Sequence, residues 1–430
     1  MRFPTPFRWS RRLFTSTIRQ VEDEGDWFYA SEWWGGDDND DGHTVFRSHS
    51  VKGNGSVTVV GYPSSRPDAV HWAAVERWLQ RRYEKIYPDC DENLEKFRVL
   101  GYQWRVLRFN ERTRQSTVKV MAAYRKSASE AVYLMQQPHC LAVPYVKSMI
   151  AAGLSALSST RFNFKGAVHG DRTLHILCIG LGGGSIPLFL ASKIQGAIVH
   201  VVEIDPVVIK ASIQAMGFPS HSTKNASSGS LNSMDPLDQV LWGGLHERLS
   251  LYEADAEGFV VKRAAEMSSP FYDLVFVDAY DGDDLFPRKL WNADGPFLKA
   301  LATILHPDHG TVVVNLHADT DSLTKCTSPL FHPLLPMGRH VYQVCKAYKQ
   351  VLEEDSGAGG SVLSFSVSSP WVQNISLVIC RGFKATTMTE NRSLILNTLL
   401  SSSQDVENLL KLPFPCIQYL KNGFLLIDSL

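Results

Sequence analysis

Residues 174–192 read LHILCIGLGGGSIPLFLAS. The run holds no acid, and His175 is its only side chain able to carry a positive charge. Four of the five positions from Gly180 to Gly184 are glycine, and Pro187 follows. Three structures compete for such a run: a membrane span, a strand with a ligand loop, or a flexible core segment. A membrane helix needs about 20 predominantly apolar residues. This run barely reaches that length, and the glycines with Pro187 would break the helix at its middle. Strand, turn and helix fit the order better, with Ile176–Ile179 as strand, Gly180–Gly184 as turn and Ser185 onward as helix.

Outward from this point the chain alternates regularly. AIVHVVEID (197–205) reads as a second strand, and PVVIKASIQAMGF as a helix with Pro206 in its first turn, where proline is tolerated. RLSLYEAD and YDLVFVDAY read as the third and fourth strands, GPFLKALATIL as a helix ended by HPDHG, GTVVVNLHA as the fifth strand and NISLVICRG as the last. Near-continuous apolar strands alternating with helices predict a parallel sheet covered on both faces. The fold class is therefore α/β, a Rossmann-like doubly wound, mostly parallel sheet with a smaller N-terminal α+β region.

The turn has the form G-x-G-x-G at Gly180, Gly182 and Gly184. Glycines admit positive φ and let a ligand approach the backbone, and the helix that follows presents free N–H groups. A nucleoside triphosphate loop would need a lysine after the glycines, and none is present. A hydrolase elbow would need glycine where Pro187 stands. A dinucleotide loop wants Gly or Ala where Ser185 stands, a near miss. S-adenosylmethionine is the fourth option. Its ribose hydroxyls want a carboxylate at the end of the second strand, where Glu203 stands 23 residues after Gly180. An NAD site would place an acid similarly. Asp255 at the end of the third strand, and Asp278 and Asp281 at the end of the fourth, tip the balance. Ligands of open α/β sheets bind at the carboxyl ends of the strands. Acids at all these ends suit a cationic sulfonium and an exocyclic amine better than a pyrophosphate.

The motifs ILCIGLGGGSIPLF, VVEIDPVVIKAS, EADAEGF and YDLVFVDAYDG occur in this order over roughly residues 170–320. Together they resemble the spermidine-synthase-like branch of class I S-adenosylmethionine-dependent methyltransferases. GLGGGSIPLF with VEIDP is similar to the spermidine-synthase-like domain of methyltransferases that modify a translation elongation factor. The resemblance implies S-adenosyl-L-methionine as cofactor, a cofactor loop at Gly180, Gly182 and Gly184, ribose binding by Glu203 and adenine binding by Asp255. It implies a cofactor or catalytic role for Asp278. In polyamine aminopropyltransferases an aspartate at the place of Asp281 deprotonates the attacking amine, a step that frees the nitrogen lone pair.

Two departures separate this chain from those aminopropyltransferases. They carry G-G-G-D-G-G, whose Asp grips the amine of the decarboxylated cofactor, and the equivalent residue here is Gly183. Their acidic signature before the first Rossmann strand has SASEAVYLMQQP as its nearest counterpart. The expected activity is methyl transfer to a nitrogen nucleophile such as a protein amine. Aminopropyl transfer to a polyamine is the alternative, and a catalytically degenerate cofactor-binding module is the third. Asn315 and His317, ending the fifth strand, and Tyr280 read as satisfied polar or buried residues near the site. Asp205 reads as the N-cap of the helix after the second strand.

The rest of the chain sets the frame. It has 430 residues, enough for two or three units, and a formal net charge of −1, so no global field draws it to nucleic acid or acidic lipid. The expected partners are thus the cofactor and a protein or polyamine acceptor, with room for a homo-oligomer and no membrane. The seven cysteines form no C-x-x-C pair and read as buried thiols. Residues 1–20 are Arg-rich and acid-free, the composition of an organelle transit peptide, which sets the expectation of a mitochondrion or chloroplast, with cytoplasm as alternative. Residues 21–165 form the N-terminal region and 166–385 the Rossmann-like domain, with 219–242 a mobile Ser/Asn-rich insertion and 386–430 a C-terminal helical extension. Within the N-terminal region, residues 70–87 read as an amphipathic helix with a solvated Arg/Lys face, and YQWRVLRF and STVKVMAAY as strands separated by NERTRQ. The stretch beginning AVYLMQQP reads as helix interrupted by Pro138 and Pro144. DDNDDGHTVFRS imitates a calcium loop, but Ser48 stands where the bidentate Glu belongs, so it reads as an acidic surface loop and no metal site is expected.

Overall fold

A computed structural model of the chain describes residues 42–427, apart from 65–66, 68, 89–95, 111–112, 126–127, 221–222, 225–235, 267–270, 284, 319–337, 356–361, 371 and 384–391. The Arg-rich N-terminal stretch, the acids of 37–41 and most of the Ser/Asn-rich insertion lie outside the described residues. The second half of the calcium-loop mimic is a strand, not a loop.

Two sheets organise the described chain. Strands β1 (His43–His49), β2 (Ser56–Ser64), β3 (Phe97–Phe109), β4 (Thr113–Arg125) and β5 (Ala128–Gln136) form an antiparallel meander in chain order, with helix α1 (Ala69–Ile86) between β2 and β3. Strand β5 occupies the start of the stretch read as helix, whose part from Pro144 onward is helical as expected. Residues 120–125 of β4 offer it a ladder from Val120 opposite Gln136 to Arg125 opposite Ala128, and this pairing outweighs a local pattern that suits either state. The turn after β3 is tighter than NERTRQ suggests, since Arg114 and Gln115 already belong to β4. Helix α1 buries Leu79 and Tyr83 as its spacing requires. Its basic face is not wholly solvated: Arg82 donates to the carbonyls of Val240 and Gly243.

The chain then runs through α2 (Pro144–Ser158), α3 (Phe164–His169), β6 (Leu174–Ile179), α4 (Ser185–Lys193), β7 (Ala197–Glu203), α5 (Pro206–Met216), β8 (Thr223–Lys224), α6 (Pro236–Trp242), β9 (Leu249–Glu253), α7 (Ala256–Ala265), β10 (Leu274–Val277), α8 (Pro296–Ile304) and β11 (Thr311–His317). It finishes with α9 (Arg339–Asp355), β12 (Val362–Ser368), β13 (Asn374–Arg381), α10 (Arg392–Leu410), α11 (Cys416–Lys421) and β14 (Leu425–Leu426). The second sheet has nine strands in the order β14-β12-β13-β11-β10-β6-β7-β9-β8. From β8 to β11 the pairing is parallel; β13, β12 and β14 are added antiparallel. The sheet is mostly parallel, as expected, and mixed at one edge. The short link from β12 to β13 explains it, because a few residues can join antiparallel neighbours and cannot make a parallel crossover.

The apolar character of β6 follows from its place in the middle. Ile176 and Cys178 point into one hydrophobic layer, with α2, α4 and α10, while Leu177 and Ile179 point into the other, with α7, α8 and α9. Burying each such side chain stabilises the fold by about 1.5–3 kcal/mol. The five described cysteines are buried free thiols, in line with their reading. A third apolar cluster joins the two sheets: Val208, Ala211, Ala215 and Met216 of α5 pack on Val57, Val59, Leu107, Phe109, Val118 and Val120. Helix α5 thus sets the small sheet over the carboxyl ends of β6 and β7. Among the described residues no helix is long and apolar enough to cross a membrane.

Candidate active site

Strand β6 lies between β7 and β10, the point where chain order reverses and a crevice opens above the strand ends. A cavity of about 590 Å³ occupies it, a volume suited to a small-molecule ligand. Its floor is the glycine turn and the ends of β6, β7, β10 and β11; its roof comes from Asn54, Phe109 and Thr113–Thr117 of the small sheet.

The turn has the conformation its glycines predict. Gly180, Gly182 and Gly184 have φ of 92°, 50° and 77°. At Gly180 close approach adds a second constraint, because a Cβ would stand 2.0 Å from the Asp278 carbonyl oxygen. Gly184 gives α4 no side-chain cap, so the first-turn N–H groups are left to a ligand. A Cβ at Gly183 would lie 2.7 Å from Ser116 Oγ and 2.8 Å from both Met216 Cε and Val118 Cγ1. A side chain at this position would have to displace Ser116 and Val118 of β4 and the end of Met216 of α5.

The sequence-predicted acids all line the cavity. Glu203 Oε2 accepts the Leu181 N–H at 2.9 Å and Oε1 accepts the Asp205 N–H at 2.9 Å. Burial pushes its carboxyl up, against the pull of those N–H donors. Each oxygen keeps a further acceptor direction for a hydroxyl. Asp205 is the N-cap of α5, as its position before Pro206 predicts, and is wholly buried. Asp255 is both a turn residue and a wall: it caps α7 through the Gly258 N–H at 3.1 Å and pairs with the Lys289 ammonium. Burial alone would raise its carboxyl; Lys289 and the N–H donors outweigh that and hold it below the usual range.

Asp278 and Asp281 differ. Asp281 Oδ1 accepts the N–H groups of Asp283 and Leu285, at 3.1 and 2.9 Å, closing a turn. Oδ2 has no hydrogen-bond partner among the described residues. Asp278 takes one donor on each oxygen, Tyr145 Oη on Oδ2 at 3.1 Å and Asn315 Nδ2 on Oδ1 at 2.8 Å. Burial raises its carboxyl, opposed by those two donors and by His317. Asn315 is indeed satisfied, and it also lines the cavity. Tyr280 shapes the wall: its hydroxyl donates to the Asn315 carbonyl and accepts from the His317 N–H, and its ring stacks on His317 at 4.5 Å.

Tyr145, Asn374, Lys289, Asn54 and Ser116 line the cavity without having been singled out in the sequence. Asn54 sits between Gly53 and Gly55 in the β1–β2 turn; the other four sit neither in a glycine turn nor at the end of a parallel strand, the two signals that found the others. Away from the cavity, Asp273, His306 and His309 bring potential ligand atoms within 4.8 Å of one another. Asp273 spends both oxygens there, on His309 Nε2 at 2.7 Å and the His175 N–H at 2.7 Å, which ties the starts of β6 and β10 to the HPDHG turn.

Open glycine turn, cavity volume and spare acceptor directions on Glu203 fit S-adenosylmethionine. A class I S-adenosylmethionine-binding fold of the spermidine-synthase-like kind accounts for both the sheet and its acids. No family model matches the chain. It is 37% identical over 192 residues to the eEF1A lysine and N-terminal methyltransferase of Danio rerio, covering 44% of this chain and 23% of that protein. The Bos taurus protein of the same name is 27% identical over 176 residues, 40% of this chain and 20% of that one. The chain thus spans about a fifth of the length of these relatives. A polyamine aminopropyltransferase of Vibrio vulnificus is 29% identical over 124 residues, 29% of this chain and 32% of the relative. Human Methyltransferase-like protein 13 in complex with SAH superposes with a TM-score of 0.42 at 22% identity, over 63% of this chain and 93% of the other.

Proposed function

We propose that the protein transfers a methyl group from S-adenosylmethionine to an amine of a protein, with eEF1A the first acceptor to test. The observation that carries the choice of methyl over aminopropyl transfer is the packing at Gly183. Residue 183 is glycine, so the turn has no acid to grip the amine of a decarboxylated cofactor, and a side chain there would have to displace Ser116, Val118 and Met216. The eEF1A methyltransferase relatives support the choice of acceptor.

The cofactor when bound supplies a methyl carbon on a cationic sulfonium. The chain's own part is to bind, orient and take a proton. Glu203 holds hydroxyls beside the glycine turn. Asp255 offers an acceptor at the far wall. Tyr280 and His317 form a flat wall that limits water near the acceptor. An amine entering between Asp278 and Asp281 arrives as an ammonium and must lose a proton to become a nucleophile; Asp281 Oδ2 and the Asp278 carboxylate are the acceptors within the cavity.

Calorimetry with S-adenosylmethionine and its decarboxylated form tests the reading. Stronger binding of the first is expected; preference for the second would replace methyl by aminopropyl transfer, and binding of neither would leave a module without catalysis. Glu203→Ala should abolish binding. Asp281→Asn should spare binding and lower turnover on purified eEF1A with labelled cofactor, by roughly the 10²-fold or more expected for a general base. Unchanged turnover would remove Asp281 as the base.

A further inference from the structure

Three turns far apart in sequence meet at one side of the cavity. The first follows β10. The Asp281 N–H donates to the Leu285 carbonyl at 3.2 Å, and Asp281 Oδ1 accepts the N–H groups of Asp283 and Leu285, so this carboxylate closes its own turn. The second joins β1 to β2 and carries Gly53 and Asn54. The third begins at Asn110, the residue after β3.

Asn110 joins all three. Its φ is 48°, a left-handed conformation in which asparagine is several-fold enriched. Its N–H donates to the Ser56 carbonyl at 2.8 Å, and its Oδ1 accepts the Ser56 N–H at 3.3 Å. A side-chain amide has one acceptor end and one donor end. With Oδ1 given to Ser56, Nδ2 is left to donate, and it reaches the Gly282 carbonyl at 3.2 Å, across 172 residues of sequence. Gly282 also lies against the β1–β2 turn. A Cβ there would run into the Gly53 carbonyl oxygen and stand 2.8 Å from Asn54 Cα, so glycine at 282 is what lets the two turns touch. Two amides therefore tie the roof in two directions. Asn54 ties it to Asp205 at the start of α5, and Asn110 ties it to the residue after Asp281.

Resting on the reading of Asp281 as the proton acceptor for methyl transfer, we propose that Asn110 is a positioning residue for that carboxylate: by holding the Gly282 carbonyl it makes the small sheet set where Asp281 stands in the cavity. The hydrogen bonds that Asp281 makes within its own turn fix the shape of the turn. They do not fix its place over the strand ends, and the Asn110 amide does. The step it serves balances simply. The acceptor ammonium gives a proton to Asp281, the freed nitrogen lone pair forms a bond to the methyl carbon, and the carbon–sulfur bond breaks with its pair going to sulfur. A displacement of about 1 Å in such a group costs on the order of 10²-fold in rate. Asn110 is not among the residues that line the cavity, so it acts through Asp281 and not on the cofactor.

The test uses two variants of the whole protein. Asn110→Gly removes the amide and keeps the left-handed backbone, which glycine adopts without strain. Gly282→Ala parts the same contact from the other side. Hydrogen exchange reads the clamp without any activity: the Asp281, Asp283 and Leu285 amides should exchange about tenfold faster in both variants, with β6 and β7 unchanged. Calorimetry should give S-adenosylmethionine the same affinity as in the wild type, to within about twofold, while kcat on eEF1A falls about tenfold. In an Asp281→Asn background Asn110→Gly should bring no further fall, because the group it places is already gone. A merely structural residue would lower turnover by the same factor in both backgrounds. That result, or unchanged exchange at these three amides in both variants, would overturn the proposal and leave Asp281 as the base. Full turnover by Asp281→Asn would overturn the reading of Asp281, and the role of Asn110 with it, even where exchange shows the turn released. Absence of cofactor binding in the calorimetry above would overturn the reading of the cavity itself.

Discussion

The side-chain amide of Asn54 donates to Asp205 Oδ2 at 2.7 Å across 151 residues of sequence. Asp205 caps α5 with its other oxygen, through the Val207 N–H at 2.9 Å. One buried carboxylate therefore starts the helix that carries the small sheet and also holds the β1–β2 turn, which lines the cavity. Asn54→Ala leaves a wholly buried carboxylate oxygen without that donor. The expected cost is about 1–3 kcal/mol, read as a lowered melting temperature, together with weaker cofactor binding because the roof is released. A melting temperature equal to wild type would show that the roof is held by the apolar cluster on α5 alone.

Gly183→Ala tests the packing that separates methyl from aminopropyl transfer. The added methyl meets Ser116, Val118 and Met216, and overpacking of this kind costs about 1–3 kcal/mol. Ser116→Gly in the same chain should recover part of the loss, a coupling that a double-mutant cycle measures. Gly183→Asp should bind neither form of the cofactor better than wild type. A gain in affinity for the decarboxylated form would mean that the small sheet yields and the acid finds room.

What the sequence made legible was short in range. The turn between β6 and α4, the acid 23 residues after Gly180 and the acids at the ends of β9 and β10 are local patterns imposed by backbone geometry; Gly180, Gly182, Glu203, Asp255, Asp278 and Asp281 line the cavity, while Gly184 packs against Phe218 instead. The roof and the floor network were not legible. Tyr145 meets Asp278 across 133 residues, and Asn374 reaches Asn315 only because β13 joins the sheet antiparallel. Strand β5 was misread for the same reason: its partner on β4, and not its own propensity, decides its state. The two roles of Asp255 show a further limit. Its place as helix cap is readable from position, while its ion partner Lys289 comes from a loop whose path depends on the whole fold.

Stability should fall as pH falls from about 7 to about 5, and His306 should account for part of it. Burial lowers its pKa, and His309, stacked on it at 3.6 Å, lowers it further, against the pull of Asp273 and Asp308. The unfolded chain takes up a proton near the ordinary value of about 6.5 while the folded chain resists, so the unfolded state binds more protons below that pH and gains on the folded state. The stability contributed by neutral His306 is present above about 6.5 and is lost on acidification. Glu203 and Asp278 are shifted up by burial and work in the opposite direction. Comparing His306→Gln with wild type cancels them. The variant's curve of melting temperature against pH should be the flatter of the two; parallel curves would exclude His306.

The pair Lys289–Asp255 gives opposite expectations for its two members. Asp255 Oδ1 faces the Lys289 ammonium, and Oδ2 accepts the Gly258 N–H. If the exocyclic amine of the adenine ring uses Oδ1, Lys289 competes for that oxygen. Lys289→Met should then tighten cofactor binding, by no more than about fivefold, since the ion pair is well exposed and surface pairs contribute about 0–1 kcal/mol. The gain should shrink as salt screens the wild-type pair. Asp255→Asn should weaken binding by roughly tenfold, the loss of one hydrogen bond to a charged acceptor. Calorimetry at low and high ionic strength reads both. Equal losses in the two variants would mean that the ion pair itself shapes the adenine wall, and that Asp255 serves α7 and Lys289 without touching the base.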